Sequence, residues 1–166
     1  MTETEFNALA AQGYNRIPVT LETFADLDTP LSIYLKLANA PFTYLLESVQ
    51  GGERFGRYSF IGLPARTLLR SQGFGANAVT EVVTDGQVVE SAPGNPLDFV
   101  QAYQKRFKVA LRPGLPRFCG GLAGYFGYDA VRHIEKKLEH SCPPDPLGMP
   151  DILLLQCEEL AVIDNL

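Results

Sequence analysis

The stretch AVTEVVTDGQVVES, residues 78 to 91, constrains the fold more than any other. Two runs rich in β-branched residues meet at Asp85-Gly86. That dipeptide suits the two positive φ angles of a type I′ turn, whose twist matches the flanking strands. The segment predicts an antiparallel hairpin. Strand edges need partners, and the rest of the sequence offers several. PFTYLLESV reads as a strand, and GRYSFIGLPARTLLRSQG as two strands broken at Gly62-Leu63-Pro64. IPVTLETFAD, with Ile17, Val19 and Leu21 in alternation, predicts another. ILLLQCEELAVIDNL reads as one long apolar strand that reaches turn chemistry at Asp164-Asn165. Such a strand needs neighbours, and the pattern predicts a chain that stops inside a larger fold.

Helical spacing occurs between these runs. Residues 3 to 12 place Phe6, Leu9 and Ala10 on one face, and Gly13 ends the segment. LDTPLSIYLKLAN has Thr29 as a cap, Pro30 at the first position, and Leu31, Tyr34, Leu35 and Ala38 on one side, with Asn39 as its end. LDFVQAYQKRF predicts an amphipathic helix through Leu97, Val100, Tyr103 and Phe107. AVRHIEKKL predicts a helix capped by Asp129.

The chain has 166 residues, enough to bury a real core. A net charge of -5 argues against a nucleic-acid surface, which needs clustered Lys and Arg. Lys105, Arg106 and Lys108 form the densest basic group and read as a solvated helix face. Cys119, Cys142 and Cys157 lack zinc spacing. An odd cysteine count and an acidic N-terminal stretch without signal-peptide character fit a reducing cytoplasm. No apolar run approaches the roughly 20 residues of a membrane span.

Few motifs carry chemistry. GGLAGYFGYD lacks the lysine and hydroxyl of a phosphate loop, and its glycines do not follow GxGxxG. Close backbone packing against aromatic rings explains them more simply. His133, flanked by Arg132 and Glu135, has no nucleophile setting nearby and reads as a surface histidine. Glu158 and Glu159 sit inside a strand pattern, so their side chains point to opposite faces and cannot act jointly as acid and base.

YLLESVQGGERFGRYSFIG differs, because its apolar run ends abruptly at Glu47-Ser48, ahead of glycines and arginines. Glu47 can accept from an ammonium group, Ser48 can donate and accept, and Arg57 can hold a carboxylate in a fork. Leu45, Leu46, Tyr58 and Phe60 offer apolar walls. The set suits a free amino acid. A solvated hairpin with a Glu-Arg surface pair is the alternative.

Three blocks in order, YLLESVQGGERFGRYSFIG, GGLAGYFGYDAVRHIEKKLEH and PDILLLQCEELAVIDN, resemble the N-terminal region of the anthranilate synthase component I family. The resemblance runs from about Tyr14 to Leu166. It implies an α+β fold of mainly antiparallel sheets packed with helices, which suits elements that mix without a βαβ rhythm. The family makes anthranilate and pyruvate from chorismate, in tryptophan biosynthesis, with ammonia from a glutamine amidotransferase subunit. Its catalytic residues and Mg2+-binding carboxylates lie in a C-terminal portion. The resemblance therefore implies a regulatory and structural region over residues 1–166, inactive alone, with no catalytic or metal-binding residue.

The resemblance does imply an L-tryptophan feedback site. The LLES match places Glu47 and Ser48 in it. The basic residue of some relatives falls near Tyr58, where this sequence has no lysine, and Arg57 is next door. The remaining walls belong to the C-terminal portion, so weak or no tryptophan binding is expected of these residues alone. Two further readings stay open: component I of aminodeoxychorismate synthase, and a stand-alone amino-acid-binding module. The unfinished ending at Asp164-Asn165 speaks against the module.

Overall fold

The computed structural model describes residues 1–47, 57–138, 141, 143 and 145–164. The chain forms two compact units. The first takes residues 1–64, 105–120 and 158–166, and the second takes 65–104 and 121–157. Its antiparallel sheets and few helices make an α+β fold.

In the first unit, α1 (Glu3–Ala11) starts at a capping box. Thr2 accepts from the Glu5 backbone N–H at 3.2 Å, and the Glu5 carboxylate accepts from the Thr2 N–H at 2.7 Å. The Thr2 backbone N–H, together with the Thr2 side chain, holds the Glu5 carboxyl below its ordinary pKa. Helix α2 (Pro30–Leu37) repeats the device with Thr29 and Ser32, and has proline in its first turn. The sheet comprises β1 (Tyr44–Leu46), β2 (Tyr58–Gly62) and β8 (Leu160–Asp164), with β2 in the middle and both pairings antiparallel. Ser59 and Ile61, on one face of β2, are fully buried.

The second unit holds the order β5-β4-β3-β7-β6, from β3 (Thr67–Gln72), β4 (Val79–Thr84), β5 (Gln87–Pro93), β6 (Gly121–Phe126) and β7 (Ile152–Cys157). The β4–β5 hairpin turns at Asp85 and Gly86 with φ of 51° and 79°, the signs the dipeptide predicts. Leu69, Val82 and Leu154 form a buried row across three strands. Helix α3 (Pro96–Gln104) buries Pro96, Val100 and Tyr103. The Tyr103 hydroxyl donates to Gln156 at 2.7 Å.

Several sequence expectations are corrected. Residues 17–25 form no strand, and Leu21 and Phe24 stand 94% and 95% exposed. Alternation alone does not make a strand; a ladder does, and the bridge from Arg16 to Val109 is the one pairing here among the described residues. The closing apolar run is two strands in two sheets, β7 and β8. Glu158 and Glu159 lie between them, and Glu158 pairs with Arg16 at 3.2 Å.

Helix α3 stops before Phe107. The Asn15 side chain takes the Arg106 carbonyl and the Lys108 N–H, both at 2.7 Å, so neither continues a helix. Lys105, Arg106 and Lys108 therefore lie beyond the helix rather than on its face. Residues 128–133 and 136–138 form 3₁₀ turns instead of an α-helix. Asp129 accepts from Arg132 at 2.8 Å and caps nothing.

His133 is half-buried, with its ring 5.1 Å from that of Phe74, and is no surface residue. Gly124 packs against the β7 backbone at Leu153 and Leu154, not against an aromatic ring. Glycine does meet a ring at Gly62, which lies under Tyr44, its partner across β1–β2. His140 and Cys142 lie outside the described residues.

Candidate functional site

The β1–β2–β8 sheet positions the candidate residues. Tyr44, Leu45 and Leu46 pair with Gly62, Ile61 and Phe60. This register puts the end of β1 beside the start of β2. Glu47, directly after β1, is exposed, and Tyr58 opens β2. Both therefore belong to one end of the sheet. Ser48 lies outside the described residues.

Arg57 precedes β2 and meets Asp164, the last residue of β8. Tyr58 and Asp164 are register partners, which brings the two side chains together. Arg57 Nε donates to both carboxylate oxygens at 2.9 and 3.1 Å, and Nη2 donates to one at 2.6 Å. The fork is thus closed on an internal carboxylate. The hydrogen bonds to Asp164 raise the Arg57 pKa above its ordinary value. The guanidinium also lies 4.9 Å from the Tyr58 ring centre.

The apolar side of this end is aromatic. Tyr58 and Phe60 lie on one face of β2, with ring centres 6.2 Å apart. Phe118 meets Phe60 edge-on at 5.9 Å. Leu46, register partner of Phe60, is 56% exposed.

The structure thus brings Glu47, Arg57 and Tyr58 to one sheet end. It adds Asp164, which sequence reading took for turn chemistry alone. An acidic residue closing an apolar strand was the available signal, but only the register pairs it with Arg57. Ser59, fully buried between Tyr58 and Phe60, was also missed. A serine in a strand of large apolar residues was its signal.

Among the described residues, no group of three or more His, Cys, Asp and Glu could hold a metal ion. No helix among them is long and apolar enough to cross a membrane.

Comparison with known proteins decides the relationship. No family model matches the chain. Anthranilate synthase component 1 of Neisseria meningitidis serogroup B is 56% identical over 169 residues, covering the whole chain and 34% of that protein. The protein of that name from Pseudomonas putida is 59% identical over 167 residues, covering the whole chain and 33% of its own length. The one from Acetivibrio thermocellus is 37% identical over 158 residues, across 95% of the chain. The chain is a homologue of anthranilate synthase component 1. It spans about a third of the length of these curated relatives. The component 1 relatives align across both units and through the β1–β2 sheet end described above.

Proposed function

We propose that residues 1–166 are the N-terminal regulatory and structural region of an anthranilate synthase component I. The whole enzyme would be a cytoplasmic lyase that converts chorismate and ammonia to anthranilate and pyruvate. A glutamine amidotransferase subunit would deliver the ammonia. Identity of 56–59% over the entire chain to proteins of that name carries this reading. In this reading the Mg2+ ligands and the catalytic residues belong to the C-terminal portion of such an enzyme.

Within this region, the end of β1 contributes part of an L-tryptophan feedback site. Glu47 and Ser48 take the ammonium group of the amino acid. Tyr58 supplies an aromatic wall. Arg57, its fork held by Asp164, supplies positive charge toward the carboxylate rather than a free bidentate clamp. The support is chemical: an exposed carboxylate, a fixed guanidinium and aromatic rings gathered at one sheet end.

The test uses the intact enzyme with chorismate, ammonia and Mg2+. Fluorescent anthranilate is the expected product, and tryptophan should suppress its formation. Aminodeoxychorismate as product would establish the folate-type reaction instead. No turnover of chorismate would overturn the proposal.

A further inference from the structure

We infer that residues 19–27 are a docking strap, whose Leu21, Phe24 and Leu27 seat in an apolar groove with a basic rim on the part of the polypeptide outside residues 1–166. This rests on the reading of the chain as one region of a longer component I. It gives a partner to a segment that the effector site does not use.

The strap belongs to the first unit and is pinned at both ends. Before it, the Arg16 N–H donates to the Lys108 carbonyl at 3.2 Å, and the Ala110 N–H donates to the Arg16 carbonyl at 2.8 Å. Arg112 Nη2 donates to the Pro18 carbonyl at 2.7 Å. After it, Asp28 accepts from the Ser32 hydroxyl and from Lys36 Nζ, both at 2.6 Å. Between these anchors, no strand pairs with the segment among the described residues. Val19 is 68% exposed, Leu21 94%, Phe24 95% and Leu27 101%. Large apolar side chains gathered in water mark an interaction surface. Fixed ends and outward apolar side chains suit a segment that lies against another surface.

Area selects the occupant. Those four side chains together expose on the order of 500 Å2. A stable interface between separate molecules needs about 800 Å2 from each. The strap falls short of that for a second copy or a separate subunit. A surface on the same polypeptide needs less, because tethering supplies an effective concentration in roughly the millimolar range. The curated relatives carry about two thirds of their length outside the part that aligns with this chain. Charge sets the rim of the groove. Residues 17–28 include Glu22, Asp26 and Asp28 and no lysine or arginine, and Glu22 and Asp26 are exposed. Complementary charge at a rim is therefore basic.

The experiment is hydrogen exchange on the full-length enzyme, joined to photocrosslinking from benzoylphenylalanine placed at position 24. Amides of residues 19–27 should exchange at least about a hundredfold more slowly than unprotected amides. That protection should not depend on protein concentration or on the amidotransferase subunit. Phe24→Asp should bring exchange close to the unprotected rate, and Phe24→Leu should stay protected. The crosslink should join position 24 to residues of the same chain outside 1–166.

Unprotected exchange in wild type would overturn the inference, and chorismate turnover in that sample would leave the enzyme reading standing. Wild-type exchange decides even where Phe24→Asp fails to fold. Protection that fades on dilution, or that needs the amidotransferase subunit, would overturn the inference in favour of a second copy or of that subunit. A crosslink within residues 1–166 would also overturn it. So would unchanged protection in Phe24→Asp, because apolar seating would then not be the cause. A protected strap in a protein that does not turn over chorismate would overturn the enzyme reading and leave the docking standing.

Discussion

Two glycines separate a soft obstacle from a hard one. A Cβ at Gly62 would enter the ring of Tyr44. A Cβ at Gly124 would enter the Leu153 carbonyl oxygen and lie 2.9 Å from the Leu154 Cα. The Tyr44 ring can swing about its side-chain torsions. The β7 backbone cannot move without parting from β6, where Gly124 is the register partner of Leu154. Gly62→Ala should therefore cost about 1–2 kcal/mol, the lower range for overpacking. Gly124→Ala should add disrupted ladder bonds of about 1 kcal/mol each, reaching about 3 kcal/mol or more. Urea unfolding of the protein, followed by circular dichroism, measures both. The order is the sharper result. The reasoning is refuted if Gly124→Ala unfolds within about 0.5 kcal/mol of wild type, or costs less than Gly62→Ala.

Other consequences can be measured in the same way. Burial raises the Asp151 pKa above the ordinary carboxylate value, opposed by the Gly73 N–H that it accepts at 2.9 Å. The folded state then binds the proton more tightly than the unfolded chain. The contribution of Asp151 to stability is greatest below its unfolded pKa near ~4 and declines as pH rises through the folded value. Asp151→Asn should gain stability relative to wild type from about pH 3 to about pH 7, and a constant difference in urea midpoint would contradict this. Thr29→Ala removes the cap of α2 and the bond it accepts from the Ser32 N–H at 3.1 Å. A loss of about 1 kcal/mol in urea unfolding is expected.

What the sequence revealed depended on the range of the interactions involved. The Asp85-Gly86 turn and the Thr29 cap are set by contacts within about four residues, so their chemistry was readable directly. Ile17, Val19 and Leu21 alternate as a strand would, but a strand exists only where another backbone answers its hydrogen bonds. No local pattern reports that. The same limit hid the division of residues 152–164 between two sheets, since apolar character alone does not say which ladder a residue joins. It also ended α3 early, because Asn15, far away in sequence, claims the groups that would extend the helix.

The candidate site follows the same rule. Glu47, Arg57 and Tyr58 were legible as chemistry, since an amino acid needs an acid, a base and an apolar wall. The closure of Arg57 on Asp164 was not, because those residues meet only through the β2–β8 register. Nor was the burial of Ser59, whose hydroxyl has no hydrogen-bond partner among the described residues, because burial is not a property of spacing.

The central claim is that the end of β1 controls chemistry performed elsewhere in the enzyme. The most direct measurement is the rate of anthranilate formation against L-tryptophan concentration, for intact wild type and Ser48→Phe. Wild type should be inhibited, while Ser48→Phe should keep its rate without tryptophan and resist inhibition. Identical inhibition curves for the two proteins would contradict the account.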